Sequence, residues 1–160
     1  MELPDKAAAV SPMQHYIEEH LDEKITLDDL ANAAGYSKYH AVRIFKELTH
    51  RTSLETVRAL RLTRAAQSLQ GADDKIVDVA MDNGFDSHDG FTRAFSRQFG
   101  ITPQKYHTET PPVNWFAHYP IEAYYQLKEG AEPMSNEKVS RTVTVTVVER
   151  PARKLIFFAP

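Results

Sequence analysis

The chain has 160 residues, of which 42% are hydrophobic and 26% charged. This composition is ordinary for a globular protein, and the length allows one domain plus part of a second. The absence of cysteine excludes disulfides and thiolate metal sites. No apolar run has the length of a membrane span, and the first ten residues lack the pattern of a secretory signal. We therefore expect a cytoplasmic protein with no membrane partner.

Capping residues and glycines mark helix boundaries along the first hundred residues. Ser11 followed by Pro12 predicts the start of a first helix, because proline fits best at the first helical position. Thr26, with Asp29 at the capping-box spacing, predicts a second helix that stops at Gly35. Five more helices are predicted in order: Ser37 to about Leu48, Thr52 to near Gly71, about Lys75 to Asn83, Ser87 to Phe99, and a short one from Thr102 and Pro103. Residues 11–107 are thus predicted to form an all-α domain.

Part of this helical pattern occurs twice. The segment from Ala31 to Ser37 resembles the segment from Ala80 to Asp86, and Gly84 follows Gly35 by 49 positions. Arg43 and Phe45 then match Arg93 and Phe95, 50 positions later. The chain is therefore predicted to contain two helix–glycine turn–helix units. The helix that begins near Ser53 is placed to join them.

Each repeated unit has the pattern of a helix-turn-helix motif, in which a short turn positions the second helix to enter the major groove of DNA. At 100° per residue, one face of the third and sixth helices is apolar and the opposite face is largely polar. The predicted inward residues are Ala41, Ile44, Phe45 and Leu48, then Phe91, Ala94 and Phe95. Arg43 and Arg93 occupy equivalent outward positions, where arginine can pair with guanine O6 and N7.

The net charge of −3 speaks against a nucleic-acid partner, but the charges are sorted into blocks. Residues 15–30 carry six acidic side chains and one lysine, whereas residues 38–64 carry seven basic and two acidic side chains. One surface can therefore be basic in an acidic protein, although solvated helix faces would show the same pattern.

After residue 107 the composition changes. Pro111 and Pro112 break helical structure, and the alternation of Val143, Val145 and Val147 has the period of a strand. A turn at residues 150–152 and a second strand at residues 155–158 are predicted to complete a β-hairpin. We divide the chain into a DNA-binding domain (8–110), a linker (111–138) and the start of a truncated α+β domain (139–160). In the intact chain we expect residues 139–160 to pack poorly on the helical domain, with Phe157 and Phe158 partly exposed. Removal of everything after Pro112 is then expected to leave DNA affinity nearly unchanged.

The runs at residues 84–87, 91–95 and 99–106 resemble the signature of the AraC/XylS family of transcription regulators. Residues 27–46 resemble that family's first helix-turn-helix. The resemblance implies a monomer that reads two successive major-groove segments of double-stranded DNA, more often as an activator that contacts RNA polymerase, in the bacterial nucleoid. The base-reading positions that it implies are Tyr39, Val42, Arg43, His88, Asp89, Thr92 and Arg93. The basic side chains predicted as phosphate contacts, or else as solvated charges, are Lys38, Lys46, Arg51, Arg61, Arg97 and Lys105.

Residues 139–158 resemble the first strands of the GyrI-like effector-binding domain, which implies a small-molecule effector in a longer protein. A small-molecule sensor is therefore the alternative function. An enzyme is disfavoured, because no nucleophile–base pair, carboxylate cluster or glycine-rich phosphate loop is present. His15 and His20 lack the HExxH spacing and a third ligand, so we expect neither a metal nor another cofactor.

Overall fold

The computed structural model describes residues 3–70, 74–118, 121, 147–150 and 153–156. The chain divides into two compact units, Met1–Glu129 and Gly130–Pro160. Seven helices lie in the described part of the first unit: α1 (Leu3–Glu19), α2 (Leu27–Ala34), α3 (Lys38–Thr49), α4 (Ser53–Ser68), α5 (Ile76–Asp82), α6 (His88–Phe99) and α7 (Pro103–Glu109). The seven-helix prediction is confirmed, and residues 26–70 and 74–99 contain no strand. No helix in the described ranges is long and apolar enough to cross a bilayer.

The predicted start of the first helix is wrong. Helix α1 begins at Leu3, and Pro12 lies inside it instead of at its first position. Proline inside a helix removes one backbone hydrogen bond and is unfavourable by about 3 kcal/mol. The turns that precede Pro12 compensate for this by burial, because Ala7, Ala9 and Val10 belong to the hydrophobic core. Tertiary packing therefore extends the helix before the local start signal at Ser11 and Pro12.

The capping box predicted at Thr26 is present, and a second one, of Thr52 with Glu55, begins α4. The Asp29 carboxylate accepts hydrogen bonds from the Thr26 backbone N–H at 2.8 Å and from the Thr26 hydroxyl at 2.6 Å. Glu55 makes the same pair of contacts with Thr52, at 2.8 and 2.9 Å. Hydrogen bonds from Thr26, first its hydroxyl and then its backbone N–H, lower the pKa of Asp29. Those from Thr52, first its backbone N–H, lower the pKa of Glu55.

The capping boxes predict an acid-dependent loss of stability. A carboxyl group whose pKa is lowered by folding stabilises the native state above its unfolded pKa, and this contribution disappears as the pH falls through the folded pKa. The double variant Asp29→Asn/Glu55→Gln should therefore be less stable than the native chain at neutral pH. Its free energy of unfolding should also fall less steeply below about pH 4. Urea titrations from neutral to acidic pH measure both effects.

The control for this experiment is Thr52→Ser, which keeps a capping hydroxyl and should follow the native pH dependence. Parallel curves for the native chain and the double variant would show that the two carboxylates do not contribute to the acid loss.

The buried side chains form two clusters. The first contains residues of α1, α2 and α3, with Ile17, Leu30 and Phe45 among the largest. The second contains residues of α5, α6 and α7, including Phe95 and Tyr106. Helix α4 contributes to both: Val57 to the first, and Leu62, Ala65, Ala66 and its C-cap Leu69 to the second. The predicted linking role of this helix is confirmed.

The chain after α7 packs on the helices, although a linker was predicted from residue 111. Val113 packs against the second cluster, and Ile121 is 5% exposed within the first. The Phe116 backbone N–H donates to the Thr63 hydroxyl of α4 at 3.0 Å. We call residues 113–118 together with Ile121 the strap. Because it contacts both clusters, the folded unit extends beyond the predicted boundary at residue 110.

In the second unit, strands β1 (Val147–Arg150) and β2 (Arg153–Ile156) form an antiparallel pair. In this register Val147 pairs with Ile156 and Arg150 with Arg153. The predicted hairpin is confirmed. Its predicted residues 143–146, Phe157 and Phe158 lie outside the described residues.

Candidate DNA-binding site

The two turns of the repeat have the same geometry. Gly35 and Gly84 have φ values of 68° and 72°, in the left-handed region that glycine adopts without strain. After each glycine, a backbone N–H returns to the carbonyl five residues earlier: Tyr36 to Ala31 and Phe85 to Ala80, both at 3.0 Å. This bond is the mark of a Schellman C-cap. The repeat seen in the sequence is therefore a repeat of backbone structure.

Each turn leads into a helix that we call a recognition helix, α3 in the first helix-turn-helix unit and α6 in the second helix-turn-helix unit. Both begin with a serine N-cap: Ser37 Oγ accepts from the His40 N–H at 3.4 Å, and Ser87 Oγ accepts from the Gly90 N–H at 3.1 Å. The predicted inward faces are confirmed. The fully buried members are Ala41, Ile44, Phe45, Phe91 and Phe95, and Leu48 and Ala94 pack against the clusters while partly exposed.

The outer face of α3 presents an aromatic and two basic side chains. Tyr39 is 81% exposed, whereas Val42 is half-buried. Arg43 and Lys46 are exposed, and Arg43 Nη2 lies 3.3 Å from His40 Nδ1. His40 stands three residues before Arg43, the spacing at which helical neighbours meet. That contact was not predicted, although its spacing is visible in the sequence.

The outer face of α6 carries charged and polar side chains at its N-terminal end. His88, Asp89 and Arg93 are exposed, and Arg93 Nε donates to the Asp89 carbonyl at 3.3 Å. Thr92 is half-buried, and its hydroxyl is covered without a hydrogen-bond partner. The exposed part of Thr92 is therefore not its hydroxyl. A hydrogen bond from this residue to a base would require its side chain to rotate.

The structure places the predicted phosphate contacts in different environments. Lys46 and Arg97 are exposed in the last turns of α3 and α6. Lys38 pairs with Asp28 at 2.8 Å, and Lys105 lies 3.9 Å from Glu109. Arg51 lies over the ring of Phe116, with its guanidinium carbon 4.9 Å from the ring centre. Exposed ion pairs are weak, so Lys38 and Lys105 can exchange their partners for phosphates.

Arg61 differs from the other predicted phosphate contacts. Its Nε donates to the Leu21 carbonyl at 3.0 Å, its Nη2 to the Glu23 carbonyl, and its Nη1 to the Gly84 carbonyl at 3.4 Å. All three guanidinium nitrogens are thus engaged by the protein backbone. This geometry argues against the predicted phosphate contact and indicates a structural role. No sequence spacing indicated it, because the partners lie 23 to 40 residues away.

One ion pair at the recognition surface was also missed. Lys6, near the start of α1, donates to the carboxylate of Glu47 on α3. The hydrogen bond from Lys6 lowers the pKa of Glu47. Residues 3–10 were predicted to lie outside any helix, so this contact was not expected from the sequence. Among the described residues, no group of three or more His, Cys, Asp or Glu side chains could hold a metal ion.

Comparison with known proteins agrees with this geometry. Residues 30–109 match a family model described as a helix-turn-helix domain. The chain is 40% identical over 102 residues to the right origin-binding protein of Escherichia coli, covering 64% of this chain and 35% of that protein. It is 38% identical over 97 residues to the regulatory protein SoxS of Salmonella typhimurium, covering 61% of this chain and 91% of SoxS. The chain therefore spans about a third of the first relative and nearly all of the second.

Solved structures show the same fold. An AraC-type transcriptional regulator from Chromobacterium violaceum superposes with a TM-score of 0.59 at 28% identity, covering 63% of this chain and 90% of that chain. The DNA-binding domain of AdpA, solved in complex with a target DNA, superposes with a TM-score of 0.56 at 25% identity, covering 75% of this chain and 98% of that domain. With its matched turns and paired recognition helices, the chain belongs to the AraC family of helix-turn-helix transcription regulators.

Proposed function

We propose that this protein is a transcription regulator that binds a specific duplex DNA site, with α3 and α6 in two successive major-groove segments. The observation that carries the proposal is the matched placement of Arg43 and Arg93. Each is exposed on a recognition helix whose opposite face is buried, and the preceding glycine turns have the same backbone geometry. Major grooves on one face of a duplex recur about every 34 Å, so two such helices suit one continuous site.

The exposed side chains divide by chemistry into two groups. Arg43 and Arg93 suit bidentate pairing with guanine, and Tyr39, His88 and Asp89 flank them at the N-terminal ends of the recognition helices. Val42 and Thr92 offer apolar contact, for instance with a thymine methyl group. Lys46 and Arg97 suit phosphates, joined by Lys38, Arg51 and Lys105 if these exchange their present contacts. Arg61 is left out of this group.

The relatives support a role in transcription. One matched protein of Salmonella typhimurium is named transcriptional regulator Rob, and SoxS is named a regulatory protein. From the resemblance to the AraC/XylS family we further propose that the protein acts in the bacterial cytoplasm, binds an asymmetric DNA site as a monomer and activates transcription through contact with RNA polymerase. We assign it no catalytic residue and no cofactor.

The second candidate function is that of a small-molecule sensor. The observation that favours it is the hairpin of β1 and β2, which cannot bury a core of its own and suits the edge of a larger domain. We propose that this hairpin belongs to a GyrI-like effector domain. Calorimetric titration of the 160-residue chain with cationic aromatic compounds tests this candidate.

Substitutions on the recognition helices test the leading proposal. Arg43→Ala or Arg93→Ala should weaken binding to the specific duplex by about 1–3 kcal/mol and relax the preference at one or two base pairs. Lys46→Ala or Arg97→Ala should instead weaken all sequences alike, and should flatten the dependence of log K on log salt by about one unit. Fluorescence anisotropy titrations with specific and random duplexes at several salt concentrations separate the two groups.

Arg58→Ala is the control, because Arg58 is exposed on α4, outside the recognition helices. Equal weakening of specific and random duplexes by Arg43→Ala would make Arg43 a backbone contact. Specificity would then have to come from Tyr39 or from DNA shape.

A further inference from the structure

The helix that joins the two helix-turn-helix units carries a side chain that contacts both of them. Arg61 lies in the middle of α4, and its Nε and Nη2 donate to the carbonyls of Leu21 and Glu23. These carbonyls belong to the turn between α1 and α2, which leads into the first helix-turn-helix unit. Beside them, Arg64 of α4 forms an ion pair with Asp22 of the same turn. Hydrogen bonds and an ion pair therefore join α4 to the turn that leads into α2, in the first helix-turn-helix unit.

The same guanidinium reaches the second helix-turn-helix unit. Arg61 Nη1 donates to the Gly84 carbonyl at 3.4 Å, within the turn that leads into α6. A Cβ atom placed on Gly84 would lie 2.7 Å from this Nη1 and 2.9 Å from the guanidinium carbon. The backbone of the turn thus lies directly against the arginine, and the guanidinium would have to shift if residue 84 carried a Cβ atom. Gly35, the matching glycine of the first unit, has nothing within 4 Å of such a Cβ.

The chemistry of this contact requires arginine. The guanidinium is planar, presents five donors in a fixed arrangement and remains charged, whereas lysine offers one compact ammonium group that cannot reach three separated carbonyls. Burial lowers the pKa of Arg61, and the nearby carboxylates of Asp22 and Asp86 act in the opposite direction. A partly desolvated cation that donates to carbonyls forms hydrogen bonds about twice as strong as neutral ones.

We propose that these three hydrogen bonds, the Arg61 brace, hold α6 at a fixed orientation to α3 and so make the protein select DNA sites by half-site spacing. A half-site here means the base pairs that one recognition helix reads. The inference rests on the proposed function, because it assumes that both helices read one duplex. One added base pair moves the second half-site by about 3.4 Å along the axis and rotates it by about 35°. A braced pair of helices cannot follow that movement, whereas an unbraced pair can.

The test measures a spacing ratio: affinity for the best duplex recovered from a random pool, divided by affinity for the same duplex with one base pair inserted between the half-sites. For the native 160-residue chain we expect a ratio of about 10–100, comparable to the effect of a mismatched base pair. For Arg61→Ala we expect about threefold or less, and for Arg61→Lys an intermediate value. Partial unfolding lowers both affinities by the same factor, so the ratio separates positioning from stability.

Two matched controls accompany this test. Arg58→Ala removes an exposed arginine from the same helix and should keep the native ratio. Gly84→Ala and Gly35→Ala introduce the same backbone strain, with φ values of 72° and 68°, but only the Gly84 variant displaces the Arg61 guanidinium. Gly84→Ala should therefore lower the spacing ratio and Gly35→Ala should not. The glycine pair keeps the test decisive even if Arg61→Ala does not fold.

An unchanged spacing ratio in folded Arg61→Ala or Gly84→Ala would overturn the inference. If Arg61→Ala weakened specific and random duplexes alike and reduced the salt slope by about one unit, Arg61 would be a phosphate contact after all. A native chain that selects only one half-site would refute the proposed function as well. That result is recognisable before any variant is made.

Discussion

Replacement of Phe95 by alanine is expected to lower the free energy of unfolding by about 3–5 kcal/mol. Phe95 is fully buried, and its ring centre lies 4.7 Å from that of Phe99 and 5.6 Å from that of Tyr106. The substitution removes the central ring of the second cluster and leaves a cavity that the surrounding helices can only partly fill. Urea unfolding followed by circular dichroism measures the loss. Because small domains are stable by only about 5–15 kcal/mol, DNA binding should fail at temperatures that the native chain tolerates.

Leu54→Ala is the control for this experiment, since Leu54 also carries a large apolar side chain but is 47% exposed. Its effect should stay within about 0.5 kcal/mol. A loss below about 1 kcal/mol for Phe95→Ala would show that the aromatic cluster is not a packed core in solution.

Removal of the strap is the second change with a large expected effect. A chain that ends at Pro112 loses the buried side chain of Ile121 and the contacts of Val113 and Phe116. It also loses His118, whose Nε2 lies 3.0 Å from the carboxylate of Glu18. We expect the free energy of unfolding to fall by about 2–4 kcal/mol, mainly because burial of an isoleucine side chain contributes about 1.5–3 kcal/mol. The sequence alone had predicted a linker here and an almost unchanged DNA affinity.

The matched control is a chain that ends at Glu129, which keeps the strap and lacks the unit from Gly130 to Pro160. It should unfold at nearly the same urea concentration as the full chain. Equal unfolding midpoints for the chains that end at Pro112 and Glu129 would restore the original interpretation of residues 111–138 as a linker.

Most of the helix boundaries that were predicted correctly depend on capping residues and glycines close to each boundary. The capping boxes at Thr26 and Thr52 and the glycine stops at Gly35 and Gly84 depend on residues within one helical turn. Such signals join residues that are close in the sequence, so their spacing alone predicts the contacts that form in the structure. The helix boundaries near them were therefore predicted well. The repeat of the pattern then placed the two recognition helices.

The features that were not predicted depend on contacts between residues far apart in the sequence. Ser11 and Pro12 form a local start signal, but the burial of Val10 and its neighbours extends α1 back to Leu3. Arg61 has the charge and position of a phosphate contact, yet its partners lie up to 40 residues away. The strap follows two prolines, and only the tertiary structure shows that it packs on α4. The assignment of individual side chains to bases or phosphates stays a prediction.

Sequence selection tests the central claim, that two recognition helices read two segments of one DNA site. The native chain, Arg43→Ala and Arg93→Ala should each be used to recover bound duplexes from a random pool, at about 0.15 M salt. The native chain should recover two blocks of specified base pairs whose centres lie about 10–10.5 base pairs apart. Arg43→Ala should lose the preference in one block only, and Arg93→Ala in the other. A single block, or loss of the same positions in both variants, would contradict the account.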